Sequence, residues 1–178
     1  MTRWLVLVLG GTRSGKSRFG QQRATALAGS EPVTYLATAK RGDPELELRI
    51  ASHRGARPPT WATIEVADDL ATTIRGVPDE RTILLDGLTL WLSGAFDPER
   101  TDVGGFLEGR LTQALEAIER RQGATVVVSD EIGLGMVPMD ARARAFRDLM
   151  GISHQRLAAA ADEVHLMVAG LPLPLKQR

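Results

Sequence analysis

The sequence predicts an α/β fold in which a mainly parallel sheet is flanked by helices. Three observations predict it. Apolar runs recur at 4–9, 83–85 and 126–128, continuous rather than alternating, as strands buried on both faces require. Segments rich in helix formers lie between them, the order that builds parallel sheets. Between the first apolar run and the first helical segment stands Gly10-Gly11-Thr12-Arg13-Ser14-Gly15-Lys16-Ser17, which fits G-x-x-x-x-G-K-[ST] in the strand–loop–helix context that this phosphate-binding loop needs.

Each residue type in that loop has a physical task. The glycines let backbone N–H groups turn inward and approach an anion closely. Lys16 reaches the outer phosphates of a nucleotide, and the Ser17 hydroxyl ligates Mg²⁺. The following helix directs its positive end at the same phosphates.

Along the chain, 33–38 reads as a second strand ending in small residues. Asp43 as N-cap and Pro44 at the first position open a helix through 45–54, and the Gly55 to Pro59 stretch closes it. A short strand follows at 61–66 and a short helix at 68–75, ended by Gly76-Val77-Pro78. Residues 82–86 form another buried strand, 88–93 a short helix and 96–105 a polar loop. Leu107, Leu111, Leu115 and Ile118 recur at helical spacing in a helix over 106–121. Residues 124–129 form a strand, 130–138 a glycine-containing loop, 140–161 a long helix and 163–169 the last strand.

The chain has 178 residues, a length suited to one nucleotide-binding domain over 1–178. Its 22 basic residues balance 22 acidic ones, which argues against a general attraction to nucleic acid or to an anionic membrane. The absence of cysteine excludes disulfides, thiol catalysis and Cys-ligated zinc. The first apolar run is too short to span a membrane and leads straight into the phosphate loop. Cytoplasm is the expected compartment.

In a parallel sheet ligands bind beyond the carboxyl ends of the strands. That rule groups the phosphate loop with Ala37, Thr38 and Ala39, with Asp86-Gly87, and with Asp130-Glu131-Ile132-Gly133. Asp86 ends an apolar strand, where an acidic residue holds Mg²⁺ directly or through water; capping the next helix is the competing role. Glu131 stands where a second carboxylate would face nucleotide, or simply caps the next helix. His53 lies near Glu47, Arg49, Arg54 and Arg57, and two readings of it stand. Either it edges an apolar helical stripe with Leu46 and Ile50, or its neutral imidazole attacks phosphorus and carries the group as a phosphoramidate, with Arg54 and Arg57 stabilising the charge. His154 and His165 carry weaker signals; His165 is expected to pack within a strand.

Several motifs together resemble the bifunctional adenosylcobinamide kinase / adenosylcobinamide-phosphate guanylyltransferase family. They are the phosphate loop, Tyr35-Leu36-Ala37-Thr38-Ala39, His53-Arg54-Gly55-Ala56-Arg57-Pro58, Leu85-Asp86-Gly87-Leu88-Thr89-Leu90-Trp91-Leu92, Glu131-Ile132-Gly133-Leu134-Gly135-Met136-Val137-Pro138 and Gln155-Arg156-Leu157-Ala158. They span nearly the whole chain, and H-R-x-x-R-P with E-x-G-x-G-x-V-P is specific. The resemblance implies a fold like that of phosphate-loop ATPases and a guanylyl group carried on His53. It implies nucleotide contacts from Gly10 to Ser17 and from Ala37, Thr38, Ala39, Arg54, Arg57, Glu65 and Asp86. It further implies GTP or ATP as substrates, a corrinoid acceptor and a homotrimer, which apolar Trp91 and Leu92 beside a loop also suggest. Three positions depart from the family pattern: Asp130 where asparagine is common, His154 where asparagine is usual, and Gly87 for cysteine or serine. Two other readings compete: a phosphate-loop kinase of another small metabolite, and a nucleotide-binding regulatory module. The lack of an N-K-x-D guanine signature counts against the second.

Overall fold

The computed structural model describes residues 3–38, 58–66, 69–94 and 103–178. The helix expected over 45–54 and its cap at Asp43 lie outside them. Seven strands form one sheet: β1 (Trp4–Gly10), β2 (Val33–Ala37), β3 (Ala62–Glu65), β4 (Thr82–Asp86), β5 (Ala124–Asp130), β6 (Glu163–Val168) and β7 (Leu171–Lys176). Their order is β3-β2-β4-β5-β1-β6-β7. Every pairing is parallel except β6 with β7. The helices are α1 (Lys16–Ala28), α2 (Leu70–Arg75), α3 (Leu88–Gly94), α4 (Val103–Arg120) and α5 (Ala141–Ala160).

The continuous apolar runs follow from burial on both faces. In β1, Leu5, Leu7 and Leu9 enter one core with Leu36, Leu85, Val127 and the buried sides of α2 to α5. Val6 and Val8 point the other way, joining Tyr35, Leu84, Val126, Val128 and Ala24 of α1. The α1 helix lies close to the sheet because Gly20 faces it: a Cβ there would sit 2.5 Å from Val128 Cγ2, so a larger residue would force the two apart.

Polar ties fix the frame. Glu163 accepts from Trp4 Nε1 at 2.8 Å, pairs with His165 Nε2 at 3.0 Å and binds Arg23 of α1. Burial would raise its carboxyl pKa, but those donors outweigh burial and hold it below the ordinary value. His165 packs edge-on against Phe19, with centroids 5.0 Å apart, the packing role expected for it. Asp162 accepts from the Leu5 backbone N–H at 2.9 Å.

Arg121, just past α4, is buried and donates to the carbonyls of Val77, Pro78 and Arg81. It thereby ties the β4 approach to the β5 approach. Arg121→Met leaves those carbonyls unpaired, and stability should fall by about 2–4 kcal/mol. An unchanged urea midpoint would contradict that account.

Two expectations need revision. Residues 103–105, read as loop, begin α4. The last strand is β7, not β6: Ala169 and Gly170 adopt φ of 51° and 83°, the two-residue turn of a tight hairpin, and the chain returns antiparallel. Pro172 and Pro174 sit in β7, where an edge strand tolerates the missing N–H groups.

Candidate active site

The site forms at the carboxyl ends of β1, β2, β4 and β5. Arg13 and Gly15 adopt φ of 57° and 92°. At Gly15 the left-handed backbone starts α1, and a Cβ there would also press within 3.2 Å of Gly170. No side chain caps α1, and no acidic residue occupies its first turn. The contrast with α2 and α5 is informative: Asp69 and Asp140 cap those helices by accepting from Thr72 N–H and Ala143 N–H. A bare helix N-terminus following a glycine loop is a place for an anion. Ser14 Oγ is buried there without a hydrogen-bond partner among the described residues.

Lys16 Nζ forms an ion pair with Asp130 Oδ1 at 2.7 Å and donates to Gly11 O at 3.2 Å. Ser17 Oγ donates to Asp86 Oδ1 at 3.1 Å. Tyr35 reaches the other oxygen of Asp86 with its hydroxyl, at 3.2 Å. The expected trio Lys16, Ser17 and Asp86 is thus brought together by β1 and β4, although β5 lies between them in the sheet. Serine hydroxyl and carboxylate are hard oxygen donors of the kind Mg²⁺ takes. Among the described residues no three His, Asp or Glu side chains gather into an all-protein metal cage; such sites complete the shell with water and phosphate oxygens.

The sheet register aligns Glu65, Ala37 and Asp86 in one row across β3, β2 and β4. Glu65 is exposed, Ala37 is half-buried, and Thr38 is buried, donating to Gly87 O at 2.9 Å. Thr38 therefore joins the ends of β2 and β4. Ala39, His53, Arg54 and Arg57 lie outside the described residues.

Beyond β5 a hydrogen-bonded chain holds the carboxylate loop. Asp130 N–H donates to Thr89 Oγ1 at 2.9 Å, and Thr89 Oγ1 lies 3.2 Å from Ser129 Oγ. Ser129 Oγ is 2.8 Å from His154 Nε2, and His154 Nδ1 is 3.4 Å from Glu131 Oε2. A neutral imidazole satisfies the chain, with Nδ1–H toward Glu131 and Nε2 accepting from Ser129. The other Glu131 oxygen accepts from Gly133 N–H at 2.6 Å. Glu131 consequently shapes its own loop, and the carboxylate that reaches the phosphate loop is its neighbour Asp130. Sequence reasoning assigned no role to Asp130, Thr89, Ser129 or Tyr35. The placement of Asp130 and Ser129 directly after an apolar strand was the available signal.

Burial lowers the His154 pKa below its ordinary value, and the nearby charges of Glu131 and Asp130 oppose that shift only in part. The sign follows. Just below about pH 6.5 the unfolded chain takes up a proton that the buried imidazole refuses, so stability declines as pH falls from there through the folded value and is full above it. Asp69, Asp162 and Glu163, whose carboxyls are also lowered, act only at more acid pH. The melting temperature should be lower at pH 5.5 than at pH 7.5, and His154→Gln should flatten that slope. A slope that survives the substitution assigns it to another group.

The same fold appears in distant proteins. The flagellar accessory protein FlaH of Methanocaldococcus jannaschii superposes with a TM-score of 0.51 at 16% identity, covering 99% of this chain and 80% of its own. The RadB recombinase gives 0.51 at 18% identity, covering 93% and 74%. With the glycine loop, its lysine and serine, and the strand-end aspartate, this architecture defines a phosphate-loop NTPase-like nucleotide-binding protein. The profile of the cobinamide kinase / cobinamide phosphate guanyltransferase family matches residues 6–175. Among curated relatives, the bifunctional adenosylcobalamin biosynthesis protein CobP of Pseudomonas aeruginosa is 42% identical over 174 residues, 96% of each chain. The protein CobU of the same description from Salmonella typhimurium is 39% identical, over 97% of this chain and 99% of that one. The chain belongs to the cobinamide kinase / cobinamide phosphate guanyltransferase family, and it is a bifunctional transferase of cobalamin biosynthesis.

Proposed function

We propose that one phosphate site serves both activities with different side chains. In the first reaction the hydroxyl of the aminopropanol arm of adenosylcobinamide takes the terminal phosphoryl group of ATP or GTP. Lys16 neutralises charge on the outer phosphates, and the glycine loop and the α1 N-terminus fix them. Ser17 and Asp86 would hold Mg²⁺, which would supply positive charge to offset the charge developing on the phosphates. In the second reaction His53 attacks the α-phosphorus of GTP, releasing pyrophosphate and forming a guanylyl-histidine. Arg54 and Arg57 stabilise the charge on that group. The phosphate of adenosylcobinamide phosphate then takes GMP from His53, giving adenosylcobinamide-GDP and freeing the imidazole. Glycines 10, 11 and 15, Thr12, Arg13, Ser14, Ala37, Thr38, Ala39 and Glu65 contact the nucleotide.

The observation that supports this reading best is the convergence of Lys16, Ser17 and Asp86 on an uncapped, glycine-led helix start. GTP carrying a labelled α-phosphate should mark the protein and release pyrophosphate with no corrinoid present. Chelation of Mg²⁺ should prevent both, and the absence of an adduct would refute the two-step transfer.

The assembly we propose is a cytoplasmic homotrimer. Trp91 and Leu92 do not support it, because both are buried in the core. Apolar side chains that do reach solvent, Leu134, Met136, Val137 and Met139 after β5 and Leu171, Leu173 and Leu175 on β7, give it a physical basis. A monomer mass by light scattering would exclude it. Among the described residues no helix is long and apolar enough to cross a membrane.

A further inference from the structure

We propose that Asp130 receives and orients the acceptor hydroxyl in the phosphoryl-transfer step, and that its ion pair with Lys16 is a latch that nucleotide opens. The proposal rests on the reading of Lys16 as the cation for the outer phosphates.

The carboxylate is placed by structure on both sides. Asp130 stands in register with Gly10 at the start of the phosphate loop. Its own N–H is held by Thr89 Oγ1, and the next N–H, of Glu131, donates to Gly10 O at 3.0 Å. Its side chain is 31% exposed and that of Lys16 is 15% exposed, with 2.7 Å between Oδ1 and Nζ. Glu131 is not an equivalent candidate, since one of its oxygens serves Gly133 and the other faces His154. Asp130 is the carboxylate whose partner leaves when substrate arrives.

An ammonium group has three donors, and Gly11 O and Asp130 take two of those of Lys16. A bound triphosphate competes for the same ammonium with far more negative charge. Once Nζ turns to the outer phosphates, Asp130 is left a few ångströms (about one ion-pair distance) from the terminal phosphate. Two anions that close repel each other unless a donor lies between them. A hydroxyl meets that need: its hydrogen points to the carboxylate and its oxygen lone pair faces phosphorus. This is the orientation an in-line transfer requires.

The step balances. The acceptor oxygen forms its bond to the terminal phosphorus as the bond from that phosphorus to the bridging oxygen breaks. The nucleoside diphosphate leaves with the electron pair, and the hydroxyl proton passes to Asp130 and from there to water. Because the transition state is loose, holding the hydroxyl in line contributes more than removing its proton.

The two roles predict effects of opposite sign, which a merely structural residue does not produce. Asp130→Asn and Asp130→Ala both free Lys16, so a non-hydrolysable triphosphate analogue titrated onto either variant should bind at least about threefold more tightly than onto wild type. Single-turnover phosphorylation of adenosylcobinamide should fall about 100-fold in Asp130→Ala, which keeps no acceptor for the hydroxyl. It should fall about tenfold in Asp130→Asn, which keeps a hydrogen-bond acceptor of the same shape and loses only the proton sink. Weaker nucleotide binding in the isosteric Asp130→Asn, or Asp130→Ala turnover within threefold of wild type, overturns the proposal. Lys16→Ala in the same titration separates the two levels: if it binds the analogue like wild type, the assignment of Lys16 to the phosphates has failed instead.

Discussion

His53→Asn should abolish the guanylyl adduct formed from GTP and, with it, transfer of GMP to the corrinoid phosphate. Asparagine has no lone pair basic enough to displace pyrophosphate, whereas a neutral imidazole does. The wild-type bond should be a phosphoramidate, broken in acid and stable in alkali. Labelling should slow at low pH, because a protonated imidazole cannot attack. The two other histidines serve as controls with a structural reason. His154 is enclosed by Ser129 and Glu131, and His165 by Glu163 and Phe19, so His154→Ala and His165→Ala should still be labelled. The kinase step should largely persist in His53→Asn, since Lys16, Ser17 and Asp86 keep their places. If His53→Asn is labelled like wild type, the nucleophile is another residue and the mechanism given above is wrong.

Lys16→Ala should reduce kinase turnover by about 10³-fold. The mobile phosphoryl group spreads its charge over its oxygens in the transition state, and the protein's contribution is mainly to position and neutralise it. Alanine removes the ammonium held over the glycine loop by Asp130 and Gly11. The fold should survive, because the lysine side chain takes no part in either apolar cluster. Circular dichroism and a steady-state phosphorylation assay on the same preparation check both halves. Wild-type turnover in a folded variant would remove Lys16 from the chemistry.

The parallel sheet, the phosphate loop and the helix after it were legible in the sequence. Each rests on local constraints: apolar runs buried on both faces, glycines at a left-handed turn, helix formers behind them. The joint placement of Lys16, Ser17 and Asp86 was legible too, because one rule about the carboxyl ends of parallel strands groups residues far apart in the chain. Tertiary structure decided the rest. Pro172 and Pro174 conceal β7, since proline is admissible only where a strand lies at an edge, and edge position is a property of the assembled sheet. Trp91 and Leu92 read as candidates for a surface because apolar character alone does not say which side of α3 meets the sheet. Asp130 and Glu131 are indistinguishable as neighbouring carboxylates in sequence. Their roles part in space, because successive residues leaving a strand point in opposite directions: Glu131 turns back to His154 and Gly133, and Asp130 turns to Lys16.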